Sequence, residues 1–593
     1  MAAAVDTSRG VSVVERFYVT DTDLSARFPI YTRANVGEVF PDPVTPLSGD
    51  SVLWYGELGW RQALERIGAM ELAEFPADQF CQLGVVGGYC YLNASLIRLF
   101  GERAPGLSWQ AMDAAFFGAQ PGIPDYVEMP GDVRPDLTER IGVTFGWVFQ
   151  QTCLDDLIEF IVDRKETKAI AAGRPDLAAM TDHQLWERFL ELAPRHQLLF
   201  SHHIFASNMA TVPLGVISGV ATAVGRPDLI LPILSGMGEV DSAAPSQALW
   251  DLGRLVRRSP SLNEAFDGGV AGLLSRIQGN PLAHEFLATF AAFVTEYGSR
   301  GPNEWEPRSP TWETRPELAL SAIERMRLAP DSASPDLQNA LRAAEREVAS
   351  AELLAMVAGD EAMSGQLAAA IACSKAWLPG RERTKTNNIR LIHEMRMPMR
   401  ELGRRMVARG VFDEVEDFGF ILMREYDSFL SDPASFTTTV RTRHVEYQRL
   451  LELDPSFLFV GSDGGPSTWQ RRDAAGAEKL GIGDTLMGMA GCPGIAEGRA
   501  RVVLDSNDPM ALEVGDILVA PITDPSWTPL FVPAAAVVVD VGAPLSHAII
   551  VSRELGIPCV VSATGATRHI PDGALVRVNG GTGEVTILEL AGG

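Results

Sequence analysis

The stretch VGAPLSHAIIVSRELGIPCVV, residues 541–561, predicts a loop, a short helix and a strand in that order. The preceding run AAVVVDV, residues 535–541, consists of small and β-branched side chains that suit a buried strand. Ser546 can cap the helix, and Gly556 lies where a helix C-terminus favours a positive φ. His547 is therefore predicted in the first turn of a helix.

Position 547 is one where free backbone N–H groups and the helix dipole favour an anion. A neutral imidazole there is a nucleophile, and the same N–H groups would stabilise its phosphorylated form. On local chemistry alone a second interpretation stays open, because a single histidine at a helix start is commonly a surface or capping residue.

The wider pattern resembles the phosphohistidine signature of the phosphoenolpyruvate-utilising enzymes, a run of the form S-H-A/G-A-I-V-A-R-E-x-G-I-P-x-V-V. Here the stretch reads Gly542, Ser546, His547, Ala548, Ile549, Ile550, Val551, Ser552, Arg553, Glu554, Gly556, Ile557, Pro558, Val560 and Val561, and many of these positions match. The resemblance implies that His547 carries the phosphoryl group, with Ser546 beside it. Leu545 stands where the dikinases often have a regulatory threonine, so that regulation is not expected.

The composition limits the classes of function. The chain has 593 residues, 46% of them hydrophobic and 21% charged, which predicts a soluble protein of several domains. A net charge of −26 argues against nucleic acid or an anionic membrane as a partner and favours a cytoplasmic location. Six scattered cysteines without a C-x-x-C pair indicate neither a zinc site nor a disulfide framework.

Hydrophobic periodicity predicts a mostly α-helical domain followed by a compact α/β domain. We expect an irregular segment over 1–50, a helical acceptor domain over 51–455, a flexible polar linker over 456–487 and the α/β domain over 488–593. The predicted helices cover 58–72, 137–162, 182–199, 280–297, 316–328, 337–356 and 396–408, with a break at Pro379–Gly380. The uncharged stretch 204–225 is predicted as a buried helix pair rather than a membrane span.

Three segments of the helical part are candidates for binding phosphate or substrate. FVTEYGSRGPNEWEPRSPTW, residues 293–312, contains Glu296, Arg300, Glu304 and Arg308; a glycine-flanked arginine beside carboxylates could bind a phosphoryl group while a carboxylate accepts a proton. GRERTKTNNIR, residues 380–390, contains Arg383 and Lys385 and could start a phosphate-facing helix. A solvated loop and an ordinary charged helix end remain the alternatives for these two segments.

His202 and His203 form the third candidate, as a general base in the acceptor pocket or as core residues with backbone partners. Residues 31–47, YTRANVGEVFPDPVTPL, with Arg33, resemble the opening of the central domain of rifampicin phosphotransferases and phenylphosphate synthases. Residues 293–312 resemble the Y-G-H-R-G motif of the same branch. Ser299 replaces its histidine, so a role of that histidine in catalysis is not carried over.

The resemblance also implies how the reaction is divided. We expect neither an ATP-grasp region nor a pyruvate-binding barrel in this chain, an arrangement similar to the large subunit of phenylphosphate and alkylphenol phosphate synthases. A partner ATP-grasp subunit with Mg²⁺ would phosphorylate His547 from ATP, with no cofactor or metal bound tightly here. The predicted reaction converts a phenol, ATP and water to an aryl phosphate, AMP and phosphate. The alternatives are an antibiotic or other alcohol as acceptor, and a non-catalytic phosphocarrier.

Overall fold

The computed structural model of the protein describes residues 5–6, 11–12, 16–117, 122–238, 240–241, 244–461, 465–472, 479–504, 512–523, 527–531, 533–542 and 546–591. The described part of the N-terminal third contains β1 (Val5–Asp6), β2 (Val11–Ser12), β3 (Leu24–Ser25), β4 (Ile30–Thr32), α1 (Val36–Val39), α2 (Pro46–Ser48), α3 (Trp54–Ile67), β5 (Leu83–Val86), β6 (Tyr89–Asn93), α4 (Ala94–Arg103), α5 (Trp109–Phe117), α6 (Pro135–Val148) and α7 (Ile158–Ala172).

The middle of the chain is helical, as the periodicity predicts. It contains α8 (Asp182–Ala223), α9 (Ile230–Ile233), α10 (Ala244–Arg258), α11 (Pro260–Asp267), α12 (Leu273–Ile277), α13 (His284–Tyr297), α14 (Glu317–Leu328), α15 (Pro335–Met356), α16 (Glu361–Ala408), α17 (Tyr426–Ser431) and α18 (Thr437–Leu451). The C-terminal part contains β7 (Leu453–Asp454), β8 (Leu458–Val460), β9 (Gln470–Arg471), β10 (Thr485–Met487), β11 (Met489–Cys492), β12 (Ile495–Val502), β13 (Ile517–Ala520), α19 (Thr528–Phe531), β14 (Ala536–Val539), α20 (His547–Leu555), β15 (Cys559–Val561), α21 (Ala566–His569), β16 (Leu575–Asn579) and β17 (Glu584–Glu589).

Two long helices, α8 with 42 residues and α16 with 48, pack along each other and form the centre of the helical domain. The predicted break at Pro379–Gly380 is wrong, because both residues lie inside α16. At Gly380 the helix passes close to Leu157, because a Cβ added to this glycine would lie 2.9 Å from Leu157 Cδ1. The predicted helix over 137–162 is two helices, α6 and α7, separated by a turn.

The apolar stretch 204–225 belongs to α8, so the predicted helix pair is a single helix. Helix α8 is long and apolar enough to cross a membrane by length and composition, and 50% of its most apolar window is buried inside the protein. It packs against α3 and α16, as the core helix of a folded domain does.

The N-terminal segment is not a separate irregular region in its described part. Strand β4 is paired with β6 on one side and with β8 on the other, in a four-stranded sheet of order β5-β6-β4-β8. Tyr31 in β4 is fully buried. The predicted boundary at residue 50 therefore does not mark a break in the structure.

The predicted linker 456–487 contains three short paired strands where the structure describes it. Strand β8 pairs with β4, β9 with β7, and β10 with β17 of the C-terminal sheet. The side chains of Phe459 and Trp469 are buried, which explains why this polar, glycine-rich stretch is held in place. Residues 462–464 and 473–478 of the predicted linker lie outside the described residues.

The C-terminal domain is an eight-stranded sheet of order β10-β17-β16-β12-β13-β14-β15-β11. Strands β12 to β15 are parallel to one another, and the outer pairs are antiparallel. Alternate residues of the central strands face opposite sides: Leu518 and Val537 pack with α20, and Ile517 and Val538 form the other core. A helical domain followed by an α/β domain is the predicted fold class.

Candidate functional site

Helix α20 begins and ends as the sequence predicts. Ser546 has an extended backbone, and its side-chain oxygen accepts a hydrogen bond from the N–H of Ile549. Gly556 ends the helix with a φ of 71°, a conformation that glycine adopts without strain. The local sequence therefore fixes His547 at the first helical position.

The imidazole of His547 is held by its own domain. Its Nδ1 lies 3.2 Å from Oγ1 of Thr523, and its ring meets the ring of Phe531 edge to face at 5.7 Å. The backbone N–H of His547 donates to Oε2 of Glu38 in α1 at 3.4 Å. The helix start thus faces the helical domain across the boundary between the two domains.

Burial is the main reason why the pKa of His547 lies well below its usual value of 6.5. The positive charges of Lys385 and Arg300 lower this pKa further, and Glu382 opposes them. The imidazole is consequently neutral at physiological pH and can act as a nucleophile.

A group of buried charges lies beside His547. The Nε of Arg300 is 2.7 Å from Oε2 of Glu304, and the Nζ of Lys385 is 3.4 Å from Oε1 of the same carboxylate. Arg300 and Glu304 are only 3% and 2% exposed, and Nη1 of Arg300 has no hydrogen-bond partner among the described residues. One carboxylate thus faces two cations, which leaves positive charge available to an incoming anion.

Glu38 is a further ionisable group at this point. Burial raises its pKa to about 8, while the His547 backbone N–H and the cations Arg381 and Lys385 act in the opposite direction. Its Oε1 has no hydrogen-bond partner within the described part of the chain. A buried carboxyl with a free oxygen, next to the predicted nucleophile, can bind or move a proton.

A cavity of about 1520 Å³ lies between the two domains. Its polar wall includes Glu38, Glu304, Lys385, Thr523 and His547. Apolar and aromatic side chains form most of the remainder, among them Val36, Phe40, Trp60, Phe100, Phe149 and Phe200. A mostly apolar cavity with a few convergent polar groups is typical of a small-molecule site.

The structure brings some of the predicted site residues together and separates others. His547, Glu304, Lys385 and His203 line the cavity, and Arg300 adjoins it through its ion pair with Glu304. Ser546 is buried and acts as the cap of α20. The remaining candidates have other partners.

Arg33 does not reach the cavity. Its guanidinium donates to the carbonyl oxygens of Cys90 at 3.0 Å and Pro41 at 3.1 Å, and it stacks on the ring of Tyr89. Its role is to hold the N-terminal segment against the small sheet, because these bonds satisfy buried carbonyl groups.

Arg308 points away from Lys385 and Glu304. Its guanidinium lies over the rings of Phe420 and Tyr447 and is 3.4 Å from a carboxylate oxygen of Glu414. It therefore packs the loop against the helical core.

Arg383 and Glu296 belong to separate ion pairs. Arg383 pairs with Asp241 at 3.1 Å, and Glu296 pairs with Lys168 at 2.8 Å and Arg390 at 2.9 Å. Neither Arg383 nor Glu296 lines the cavity, so the structure does not support them as substrate ligands.

The two adjacent histidines face different surroundings. The Nδ1 of His202 is 2.6 Å from a carboxylate oxygen of Asp163, and His202 does not line the cavity. His203 lines the cavity, with its Nδ1 3.2 Å from Oγ1 of Thr384, and burial lowers its pKa to about 3. Of the pair, only His203 can contact a ligand.

Sequence reasoning missed Glu38, Thr523 and His196 as site residues. Glu38 lies in the segment 31–47, which resembles the central domain of rifampicin phosphotransferases and phenylphosphate synthases, so a signal for Glu38 was present. His196 is one residue in the amphipathic pattern of α8, and only the folded structure shows that it lines the cavity.

Comparison with known proteins agrees with this architecture. Residues 512–583 match the mobile domain of PEP-utilising enzymes, and residues 202–382 match the fourth domain of rifampicin phosphotransferase. These matches confirm the resemblance to the phosphoenolpyruvate-utilising enzymes. The C-terminal α/β part is thus similar to a mobile domain of PEP-utilising enzymes, and the helical part is similar to a domain of rifampicin phosphotransferase.

Three individual proteins illustrate how similar this chain is to its relatives. An uncharacterised protein of Mycobacterium tuberculosis is 36% identical over 310 residues, covering 52% of this chain and 32% of that protein. The rifampicin phosphotransferase of Streptomyces sviceus is 31% identical, covering 60% of this chain and 40% of its own length. The prodigiosin synthesizing transferase PigC of Serratia marcescens is 26% identical, covering 94% of this chain and 63% of its own length. The chain thus spans less than two thirds of each of these relatives.

Proposed function

We propose that this protein is a phosphotransferase component in which His547 carries a phosphoryl group to the hydroxyl of a compound bound in the cavity. The observation that carries the proposal is the position of His547: its neutral imidazole meets the Arg300–Glu304–Lys385 group at the wall of an apolar cavity. The similarity to rifampicin phosphotransferases supports the same chemistry.

The transfer follows from the residues around the imidazole. Since Nδ1 is next to Thr523, we assign the phosphoryl group to Nε2. The hydroxyl oxygen attacks phosphorus, the N–P bond breaks, and its electron pair returns to the imidazole. Lys385 and Arg300 offset the charge of the phosphoryl oxygens, and the hydroxyl proton passes to a nearby base, for which the carboxylate of Glu304 is the candidate.

For the donor half-reaction we propose ATP and Mg²⁺ bound by a separate ATP-grasp subunit. The resemblance to two-component phenylphosphate synthases supports this division. The β-phosphoryl group of ATP passes to His547 and the γ-phosphoryl group passes to water, so that AMP and phosphate leave. In this chain, two of the described carboxylates beside His547 already pair with cations, as Glu304 faces Arg300 and Glu382 faces Arg381, whereas Glu38 does not form an ion pair among the described residues. That arrangement suits an anionic phosphoryl group better than a metal ion.

The acceptor is proposed to be an aromatic hydroxyl compound. A phenol fits among the aromatic side chains that line the cavity, but a cavity of about 1520 Å³ is larger than one ring needs. The size favours a second candidate within the same chemistry: a bulkier alcohol, such as an antibiotic. A panel of acceptors from phenol to multi-ring alcohols, scored by phosphate ester formed, separates these two.

The decisive experiment compares two histidine variants. With ATP labelled at the β-phosphate and the ATP-grasp partner present, the unmodified chain should become labelled and pass the label to an acceptor. His547→Ala should abolish both steps, and His183→Ala, at an exposed position of α8, should change neither. Labelling or ester formation retained by His547→Ala would refute the proposal. Labelling without ester formation on any alcohol would favour a regulatory phosphocarrier.

A further inference from the structure

One wall of the cavity is an aromatic cluster built on α8. His196, Phe200 and His203 lie on one face of the helix at positions i, i+4 and i+7. The ring of Trp305 meets all three, at centroid distances of 6.2, 5.7 and 5.9 Å. Trp60 of α3 extends the cluster, with its ring 6.0 Å from that of Phe200. We refer to these five residues as the aromatic wall.

The aromatic wall contains buried polar atoms without partners. Neither ring nitrogen of His196 has a hydrogen bond within the described part of the chain, and the same holds for the indole N–H of Trp305. The side chain of Asn388 and the backbone of Val52 lie near His196 without reaching good hydrogen-bond geometry. His196 is fully buried and Trp305 is 3% exposed. Such unpaired groups are rare in folded proteins, and a ligand is one way to satisfy them.

The protonation state of His196 defines what it can bind. Burial lowers its pKa to about 4, so the ring is neutral at physiological pH. A neutral imidazole offers one N–H donor and one acceptor nitrogen, and the indole of Trp305 adds a second donor. The three atoms match a hydroxyl or carbonyl oxygen and do not match a charged group.

The aromatic wall is continuous with the phosphoryl-transfer site. His196, Trp305 and His547 all line the same cavity, and Trp305 directly follows Glu304 in the chain. The loop that carries the carboxylate of Glu304 therefore also carries Trp305, the central ring of the aromatic wall.

We propose that the aromatic wall binds a ring of the acceptor, and that His196 and Trp305 form hydrogen bonds to a second oxygen on that ring system. The acceptor is then an aromatic compound with at least two oxygen substituents, one phosphorylated and one used for recognition. The role of this ligand as the acceptor rests on the proposed function, whereas its binding to the aromatic wall requires no phosphoryl transfer.

The test uses two probes and the full chain without ATP. 2-Naphthol and 2,6-dihydroxynaphthalene share one ring system and differ by one hydroxyl. Isothermal titration should show the dihydroxy compound binding about tenfold more tightly, the size of effect that one buried hydrogen bond provides. Equal affinities, or no binding of either compound, would overturn the inference.

A matched pair of variants locates the second oxygen. His196→Phe keeps a ring of similar shape and removes both nitrogens, so the tenfold preference should disappear while 2-naphthol still binds. His183→Phe, at an exposed site on the same helix, should keep the preference. A preference that persists in His196→Phe contradicts the inference. If His196→Phe does not fold, as circular dichroism would show, the comparison of the two probes on the unmodified chain still decides.

The two proposals can fail separately. Discrimination between the naphthols together with no labelling of His547 would refute the phosphotransferase function and leave the binding site standing. Labelling of His547 and ester formation without discrimination between the naphthols would refute the binding inference and leave the phosphotransferase function standing.

Discussion

The backbone N–H of His547 donates to Oε2 of Glu38 at 3.4 Å, across the boundary between the α/β domain and the helical domain. Glu38 lies in α1, and His547 begins α20. This contact joins two residues that are 509 positions apart in the sequence. It ties the proposed phosphoryl carrier to the proposed acceptor cavity in the arrangement seen here, which we call closed. Because residues 512–583 match a domain described as mobile, we also expect an open arrangement, in which this contact is broken.

The Glu38 contact predicts that domain closure depends on pH. Burial raises the pKa of Glu38 from 4.5 to about 8, so the closed arrangement favours the protonated carboxyl. In an open arrangement the carboxyl would titrate normally. Closure is then most favourable at low pH and weakens as the pH rises from about 4.5 to about 8. Fluorophores placed on the two domains should report a larger open fraction at high pH.

Glu38→Gln tests this origin of the pH dependence. The amide cannot ionise, so the variant should remain closed across the same pH range, and the energy-transfer signal should be flat. An open fraction that rises with pH in the variant as it does in the unmodified protein would assign the effect to another group.

Lys385→Met should slow phosphoryl transfer to the acceptor. The variant removes one of the two cations near His547, and loss of such a preorganised charge typically costs about 10²–10³-fold in rate. The pKa of His547 should rise, because Lys385 lowers it. Single-turnover ester formation and NMR titration of the imidazole measure the two effects.

Lys168→Met is the matched control for Lys385→Met. Lys168 pairs with Glu296 at 2.8 Å and does not line the cavity. Its removal should leave both the transfer rate and the pKa of His547 unchanged. A Lys385→Met variant that behaves like this control would show that Lys385 has no part in transfer.

Arg396→Met should destabilise the helical domain. The fully buried guanidinium of Arg396 donates to the backbone carbonyls of Pro307 at 2.9 Å and of Glu304 and Glu306 at 3.1 Å each. Its loss leaves three buried carbonyls without this donor, at a cost of about 3–5 kcal/mol. Thermal unfolding measures the change. Arg404→Met, on the exposed side of α16, should cost less than about 1 kcal/mol. Equal losses would contradict the predicted role of Arg396.

Gly556→Ala should weaken the packing of the α/β domain on α15. Gly556 has a φ of 71°, and a Cβ there would collide with the guanidinium of Arg342. Gly410, after α16, has a similar φ of 73° but no atom within 4 Å of an added Cβ. Both substitutions should cost about 1–2 kcal/mol of backbone strain. Only Gly556→Ala should also increase the open fraction in the energy-transfer measurement. An equal open fraction in the two variants would mean that Arg342 moves aside freely.

The features read correctly from the sequence are those encoded by neighbouring residues. The cap at Ser546, the left-handed glycine at position 556 and the β-branched run before them fix α20 and β14 without reference to the rest of the chain. The central strands were predictable for the same reason, because buried parallel strands are continuous apolar runs.

The errors arise where packing overrides local preference. Pro379 and Gly380 normally end a helix, yet both lie inside α16, since Gly380 lets the helix approach Leu157 closely and the surrounding core stabilises it. The segment 456–487 has the composition of a linker, and burial of Phe459 and Trp469 holds its described parts in place.

The sequence by itself determined the proposed nucleophile, the helix that presents it and the class of its domain, because a capped helix with a histidine in its first turn is a local pattern. Only the tertiary structure decided which distant side chains meet that histidine. Arg383 and Lys385 are two residues apart on α16 and so point to different sides, the first to Asp241 and the second to Glu304. Arg300 and Lys385 are 85 positions apart in the sequence, and both contact the carboxylate of Glu304. They meet there because the loop before α14 packs onto α16 through Arg396. Such contacts depend on how helices are oriented, which no short segment of sequence encodes.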